Sequence, residues 1–206
     1  MTDDDTPVAL TPEALREHYH RSLGSFVRVF SLTEGMLRSL LAKVVGVDEP
    51  TAMAIFSGTR SDQASSFIRR CYEARGTKIP PDLDKLLSQM ALIAAFRNDV
   101  IHQDVDFASD PPVITNRRLA ISERALRETP INSHTLYHAS TDLGRIMLGL
   151  SAFIAEKMNP QLEDNLKFAL RGPWKHKSPG QANKDQKGPK RVPRPKRTPP
   201  PKPSPE

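Results

Sequence analysis

The sequence predicts an all-α fold, a bundle of four to five helices followed by a disordered, basic, proline-rich tail. Three observations carry that expectation. Long stretches place apolar residues at three- and four-residue spacing. Those stretches begin at capping residues or Pro and close at Gly, as helices do. Convincing runs of alternating apolar and polar residues, which would mark strands, are missing. The chain divides into a flexible acidic arm over 1–9, a helical bundle over 10–160, and a linker with the tail over 161–206.

The arm carries Asp3-Asp4-Asp5, carboxylates on a free terminus whose default is solvation. Thr11 then caps a long first helix, with Pro12 at its first position and Glu13 behind it, and Gly46 supplies the stop. Its apolar stripe runs through Leu23, Phe26, Val27, Phe30, Leu37, Leu40, Leu41 and Val44, and one acid, Glu34, interrupts it. A short helix follows over 51–56, and a longer one over 61–75 is closed by Gly76. Pro80-Pro81 breaks the chain before a helix whose stripe is Leu83, Leu87, Met90, Ala94, Arg97 and Ile101. A polar loop with Pro111-Pro112 comes next, and residues 113–121 read either as a short extended pair or as more loop. Asn132 or Ser133 caps a last helix to about Met158, with Leu136, Leu143, Ile146, Met147, Leu150, Phe153 and Ile154 on its apolar side.

The chemistry concentrates in Phe96-Arg97-Asn98-Asp99-Val100-Ile101-His102. On a helix Asn98 and His102 are four apart and share a face, while Arg97 reaches the same region through its long side chain. A guanidinium, an amide and an imidazole on one helix end are parts that metal-free phosphodiester cleavage requires. Arg97 would hold two phosphate oxygens with its planar fork. His102 would move protons near neutrality. Asn98 would orient the imidazole or hold a non-bridging oxygen. A base on one core face and Glu34 on another suggest that Glu34 meets Arg97 or His102 across the helix interface. Alternatively the stripe of the first helix is rotated and Glu34 reaches water.

A long first helix, a shorter second unit, a helix ending in Arg-Asn-x-x-x-His, a loop and a last amphipathic helix resemble the HEPN superfamily (higher eukaryotes and prokaryotes nucleotide-binding domain). The likeness covers roughly residues 10–158, and its sharp part is the motif. The resemblance implies a metal-independent endoribonuclease acting as a homodimer on RNA, with Arg97, Asn98 and His102 as catalytic residues. Glu34 joins them as a catalytic candidate from its place on the stripe, similar to an acid that many family members carry on the first helix. A toxin or phage-defence effector is the role such an enzyme would fill, with an antitoxin or other regulatory protein as partner. Other family members bind or scaffold. The alternative is therefore a non-catalytic helical module that binds protein or nucleic acid through its tail.

The tail dominates the charge. From Arg171 to Glu206 eleven Lys or Arg stand against Asp185 and Glu206, giving +9, so the formal +6 of the chain leaves the first 170 residues at −3. Ten of nineteen prolines lie there as well, with almost no aliphatic side chains, a composition that cannot bury enough surface to fold. Lys190, Arg191, Arg194, Lys196 and Arg197 form its densest basic run, suited to phosphates of RNA, to an acidic partner or ribosomal surface, or to a solvated spacer. The sole Trp, Trp174, either docks on the bundle or stacks on a base.

Other classes are disfavoured. Cys71 is the only cysteine, which precludes an intramolecular disulfide and a cysteine-based zinc cluster and suits the cytoplasm. His134 and His138 have a spacing that can share Zn²⁺, but further ligands are not evident, and His18 and His20 point to different faces, so no metal is expected. No glycine-rich phosphate loop calls for a cofactor, and no apolar run marks a leader or a membrane span.

Overall fold

In a computed structural model, residues 11–109, 112–116 and 128–177 are described. The acidic arm and the proline-rich tail, including Lys190, Arg191, Arg194, Lys196 and Arg197, lie outside the described residues.

Six helices account for most of those residues: α1 (Pro12–Val45), α2 (Glu49–Phe56), α3 (Ser61–Ala74), α4 (Pro81–His102), α5 (Ser133–Ile154) and α6 (Pro160–Leu170). The fold is all-α. Local chemistry sets the helix ends. The Thr11 hydroxyl accepts from Ala14 N–H, and Gly46 closes α1 at φ 86°, a left-handed conformation that glycine adopts without a Cβ penalty. Asp48, Asn132 and Asn159 each accept a hydrogen bond from the backbone N–H three residues on, starting α2, α5 and α6.

The long α1 packs chiefly along α5, with α3 and α2 against its other sides, and α5 in turn touches α4 and α6. Phe26, Leu37 and Leu41 of α1, Leu83, Leu86, Leu87, Met90 and Ile93 of α4, and Leu136, Leu143, Ile146 and Leu150 of α5 are fully buried in one continuous core. At Gly149 the neighbouring helices come close: an added Cβ would stand 2.7 Å from Leu86 and 3.2 Å from Ala169. Arg69 ties α3 to α4 by donating to Asp84 at 2.8 Å and Ser88 at 3.2 Å.

Between α4 and α5 the chain makes a small antiparallel sheet in the order β1 (Asp104–Asp106), β2 (Val113–Thr115), β3 (Glu128–Pro130). Ile114 pairs with Val105 on one side and Thr129 on the other. Of the two readings of 113–121, the extended one holds for 113–115; residues 117–127 lie outside the described residues. Three residues per strand are too few for an alternating pattern to show.

Helical structure also continues past residue 160, into the segment the sequence reads as a linker, and the described residues hold six helices. Asn159 and Pro160 start α6, whose Leu166, Ala169 and Leu170 join the core. Behind it, residues 171–176 run as a strap held by three buried polar side chains. Asp142, wholly buried on α5, accepts from His176 N–H at 2.7 Å, from Gln89 Nε2 at 3.3 Å and from Arg145 Nη1 at 3.3 Å. Arg145 donates onward to the carbonyls of Ala169 (3.0 Å), Arg171 (2.8 Å) and Pro173 (3.0 Å). Its guanidinium lies 4.3 Å from the centre of the Trp174 ring, so the lone Trp docks on the bundle. The His176 ring rests 4.6 Å from that of Phe96, which itself packs on Phe26. A buried ion pair is tolerated only when its remaining lone pairs and protons are satisfied, and the strap's backbone does that here.

Two outcomes follow from this knot. Asp142→Ala leaves Arg145 buried without its counter-charge and His176 N–H without an acceptor, so urea unfolding should show a loss of about 3–5 kcal/mol. Burial pushes the His176 imidazole below its ordinary pKa, against the opposing pull of Asp142 and with added repulsion from His138. The unfolded chain therefore binds more protons on the acid side: stability is full above about pH 6.5 and falls as the pH drops through that value. His176→Phe keeps a ring on Phe96 and should flatten that acid-side slope in urea titrations.

Candidate functional site

The motif occupies the last two turns of α4. Phe96 and Val100 are buried, Arg97 is half-buried, and Asn98, Ile101 and His102 are exposed. The core face is thus rotated from the expected stripe: near its end it passes through Phe96 and Val100, leaving Arg97 at its edge and Ile101 outside. An aromatic packed on Phe26 wins the inward position over a charged side chain.

Arg97 lies over the Phe30 ring, 5.7 Å from guanidinium carbon to ring centre. Its Nη1 donates to Asn98 Oδ1 at 3.2 Å, and its Nε is shielded from water without a hydrogen-bond partner. Arg97 and Asn98 border a slot of about 310 Å³ whose other walls are Phe30 and Glu34 of α1, the start of α3 at Arg60, Ser61 and Asp62, and Ala91, Ala94 and Ala95 of α4. His102 is not among its lining residues. Of the four candidates, Glu34, Arg97 and Asn98 are brought to one cavity, and His102 stands apart on exposed surface further along α4.

Glu34 faces this slot but has a different partner from either one expected. Its Oε1 accepts from Ser61 N–H at 3.2 Å, and among the described residues it forms no ion pair with Arg97 or His102. The reason lies in α3. The N-cap residue there is Arg60, whose side chain has no acceptor, so the first N–H of a buried helix start turns to a carboxylate on the neighbouring helix. Gln63 Oε1 accepts from Arg60 N–H at 3.1 Å and completes the cap. Asp62 is held by Arg60 through two hydrogen bonds of 3.2 and 3.0 Å, and that contact lowers its pKa below the ordinary value. Arg60, Ser61 and Asp62 were missed as site residues. Their signal, a helix start lacking a capping side chain, becomes meaningful only once α1 is placed beside it.

His134 and His138 lie on the first turns of α5, and His20 on α1 stacks near Tyr19 and Phe107. The rings of His134 and His138 are 4.0 Å apart, and His138 is pushed below its ordinary pKa first by burial and then by His134 and Lys175, against Asp142. Among the described residues no three His, Cys, Asp or Glu side chains are grouped to hold a metal ion. Among the described residues no helix is long and apolar enough to cross a membrane. Compared with known proteins, the chain matches no protein family, no curated protein and no solved structure.

The borrowed cap is testable. Glu34→Ala strands the Ser61 N–H and should cost about 1–2 kcal/mol in urea unfolding. Glu34→Gln keeps an amide oxygen in place and should retain most of that stability.

Proposed function

We propose that the chain is a metal-independent endoribonuclease of HEPN type, cleaving RNA by attack of the 2′-hydroxyl at a composite site between two copies of the protein. The observation that supports this best is the end of α4, where Asn98 and His102 face solvent and Arg97, five residues before His102, has an Nε without a hydrogen-bond partner among the described residues. In RNA the nucleophile is part of the substrate. The enzyme has to deprotonate it, stabilise the charge that builds on the phosphorane and protonate the leaving 5′-oxygen. Arg97, with its planar fork of N–H donors, suits the phosphorane oxygens. His102 suits the proton transfers.

One imidazole does not serve as base and acid within a single concerted displacement. A twofold contact between α4 ends would supply a second, and exposed Ile101 adjoining His102 gives such a contact an apolar element. The expected products are a 2′,3′-cyclic phosphate and a 5′-hydroxyl. The role consistent with such an activity is that of a growth-inhibiting or phage-defence effector held in check by a regulatory protein, with the basic tail gathering RNA.

The test is incubation of a labelled single-stranded RNA mixture in EDTA with wild type and His102→Ala, with product end groups identified. Wild type should release cyclic-phosphate ends, and His102→Ala should lose at least about 10²-fold in rate. Because His102 is exposed, its unfolding midpoint should match wild type. Two folded proteins that both leave a broad RNA panel intact would reject the nuclease and favour a binding module.

A further inference from the structure

We propose that the slot bounded by Glu34, Arg60 and the alanines of α4 is a nucleobase subsite selective for guanine. The inference rests on the nuclease reading for its choice of an RNA base as ligand, and it gives Glu34 a specificity role in place of a catalytic one.

Size and shape come first. At about 310 Å³ the slot is at the small end of ligand cavities, room for a single flat ring system. One wall is Ala91, Ala94 and Ala95, whose methyl groups leave a planar face unobstructed. Arg97 borders the same slot, so a base lying in it would have its own phosphate within reach of the motif.

The polar groups then choose among the bases. Glu34 spends Oε1 on Ser61 N–H, while Oε2 makes no hydrogen bond among the described residues. Arg60 lines the same slot and donates to Asp62 through Nε and Nη2, so the lining of the slot includes both the Glu34 carboxylate and a guanidinium. Such a pair offers acceptor lone pairs next to N–H donors. Guanine is complementary along one edge: O6 accepts from Arg60 while N1–H and the N2 amino group donate to Glu34. Adenine and cytosine present one donor beside an acceptor, so each can make one of guanine's two hydrogen bonds to the carboxylate but not both. Uracil has a single donor between two acceptors. A site that hydrogen-bonds a donor edge rejects analogues lacking it, because its own polar groups are left unpaired.

The experiment uses DNA pentamers, which lack the 2′-hydroxyl and so report binding independently of cleavage. Fluorescein-labelled oligothymidylate with a central guanine, adenine, cytosine, thymine or hypoxanthine is titrated with the full chain at low salt, and anisotropy is read. The guanine pentamer should bind about tenfold more tightly than the adenine and cytosine ones, with hypoxanthine, which lacks the N2 amino group, in between. Glu34→Gln keeps the α3 cap but turns an amino group toward the base, and should bring all five within about twofold. Ala91→Leu places bulk in the slot from an exposed helix position and should lower guanine binding to the level of the others. Equal affinities in wild type, no binding of any pentamer, or a guanine preference that survives both variants would overturn the proposal. RNA cleavage in EDTA without guanine selectivity would leave the nuclease reading standing without this slot. Guanine-selective binding by a protein that cuts nothing would do the reverse.

Discussion

The paired burial of Asp142 and Arg145 is the constraint on which the rest of the arrangement depends. Two charges on adjacent turns of α5 are withdrawn from water in the middle of an apolar face, and neither could remain there alone. Their hydrogen bonds run outward in two directions: to Gln89 on α4 and to the backbone of the segment that follows α6. The same knot that neutralises the pair therefore fixes α4 against α5 and lays His176 over Phe96. Phe96 directly precedes Arg97, so the placement of the motif on the surface is set from the inside, by what Phe96 packs upon.

A second trade of charges shapes the surface side. The start of α3 is short of an acceptor because Arg60 occupies the capping position, and Glu34 makes up the deficit from α1. This ties Glu34 to a structural duty with one oxygen and leaves the other toward the slot. Arg97 correspondingly rests on an aromatic ring and an adjacent amide instead of on a carboxylate. Cation–π contact costs less desolvation than full burial, and it leaves the guanidinium available to something that arrives from outside.

Much of this was legible in the chain, and the illegible parts have particular causes. The starts of α1 at Thr11-Pro12 and of α5 at Asn132 could be read because the cap and the apolar period agree. The end of α4 could be read only coarsely: Phe96 and Arg97 are neighbours, and an apolar pattern alone does not decide which of two adjacent residues turns inward. Helix α6 carries its own start signal in Asn159-Pro160, but its eleven residues adjoin a stretch rich in Pro, Gly and Lys, whose composition masked it. Asp142 and Arg145 interrupt the apolar side of α5 just as Glu34 interrupts that of α1. The reasoning that drew attention to Glu34 applies equally to them, whereas their partners, backbone carbonyls of an irregular strap, leave no mark in residue type. The strands β1 and β2 follow the same rule, since pairing lies in the backbone.

The strap also imposes an order on how this chain comes to be folded. Asp142 and Arg145 are synthesised before the carbonyls and N–H that satisfy them, which belong to residues 169–176. Until those residues leave the ribosome, α5 presents an open charge pair to whatever it packs against, and α1 (Pro12–Val45) has its main partner far downstream in α5 (Ser133–Ile154). The polar seal of the interior is therefore completed only when residues 169–176 have emerged. A polypeptide interrupted upstream of residue 169 would carry nearly all of the apolar core and still lack the means to seal it.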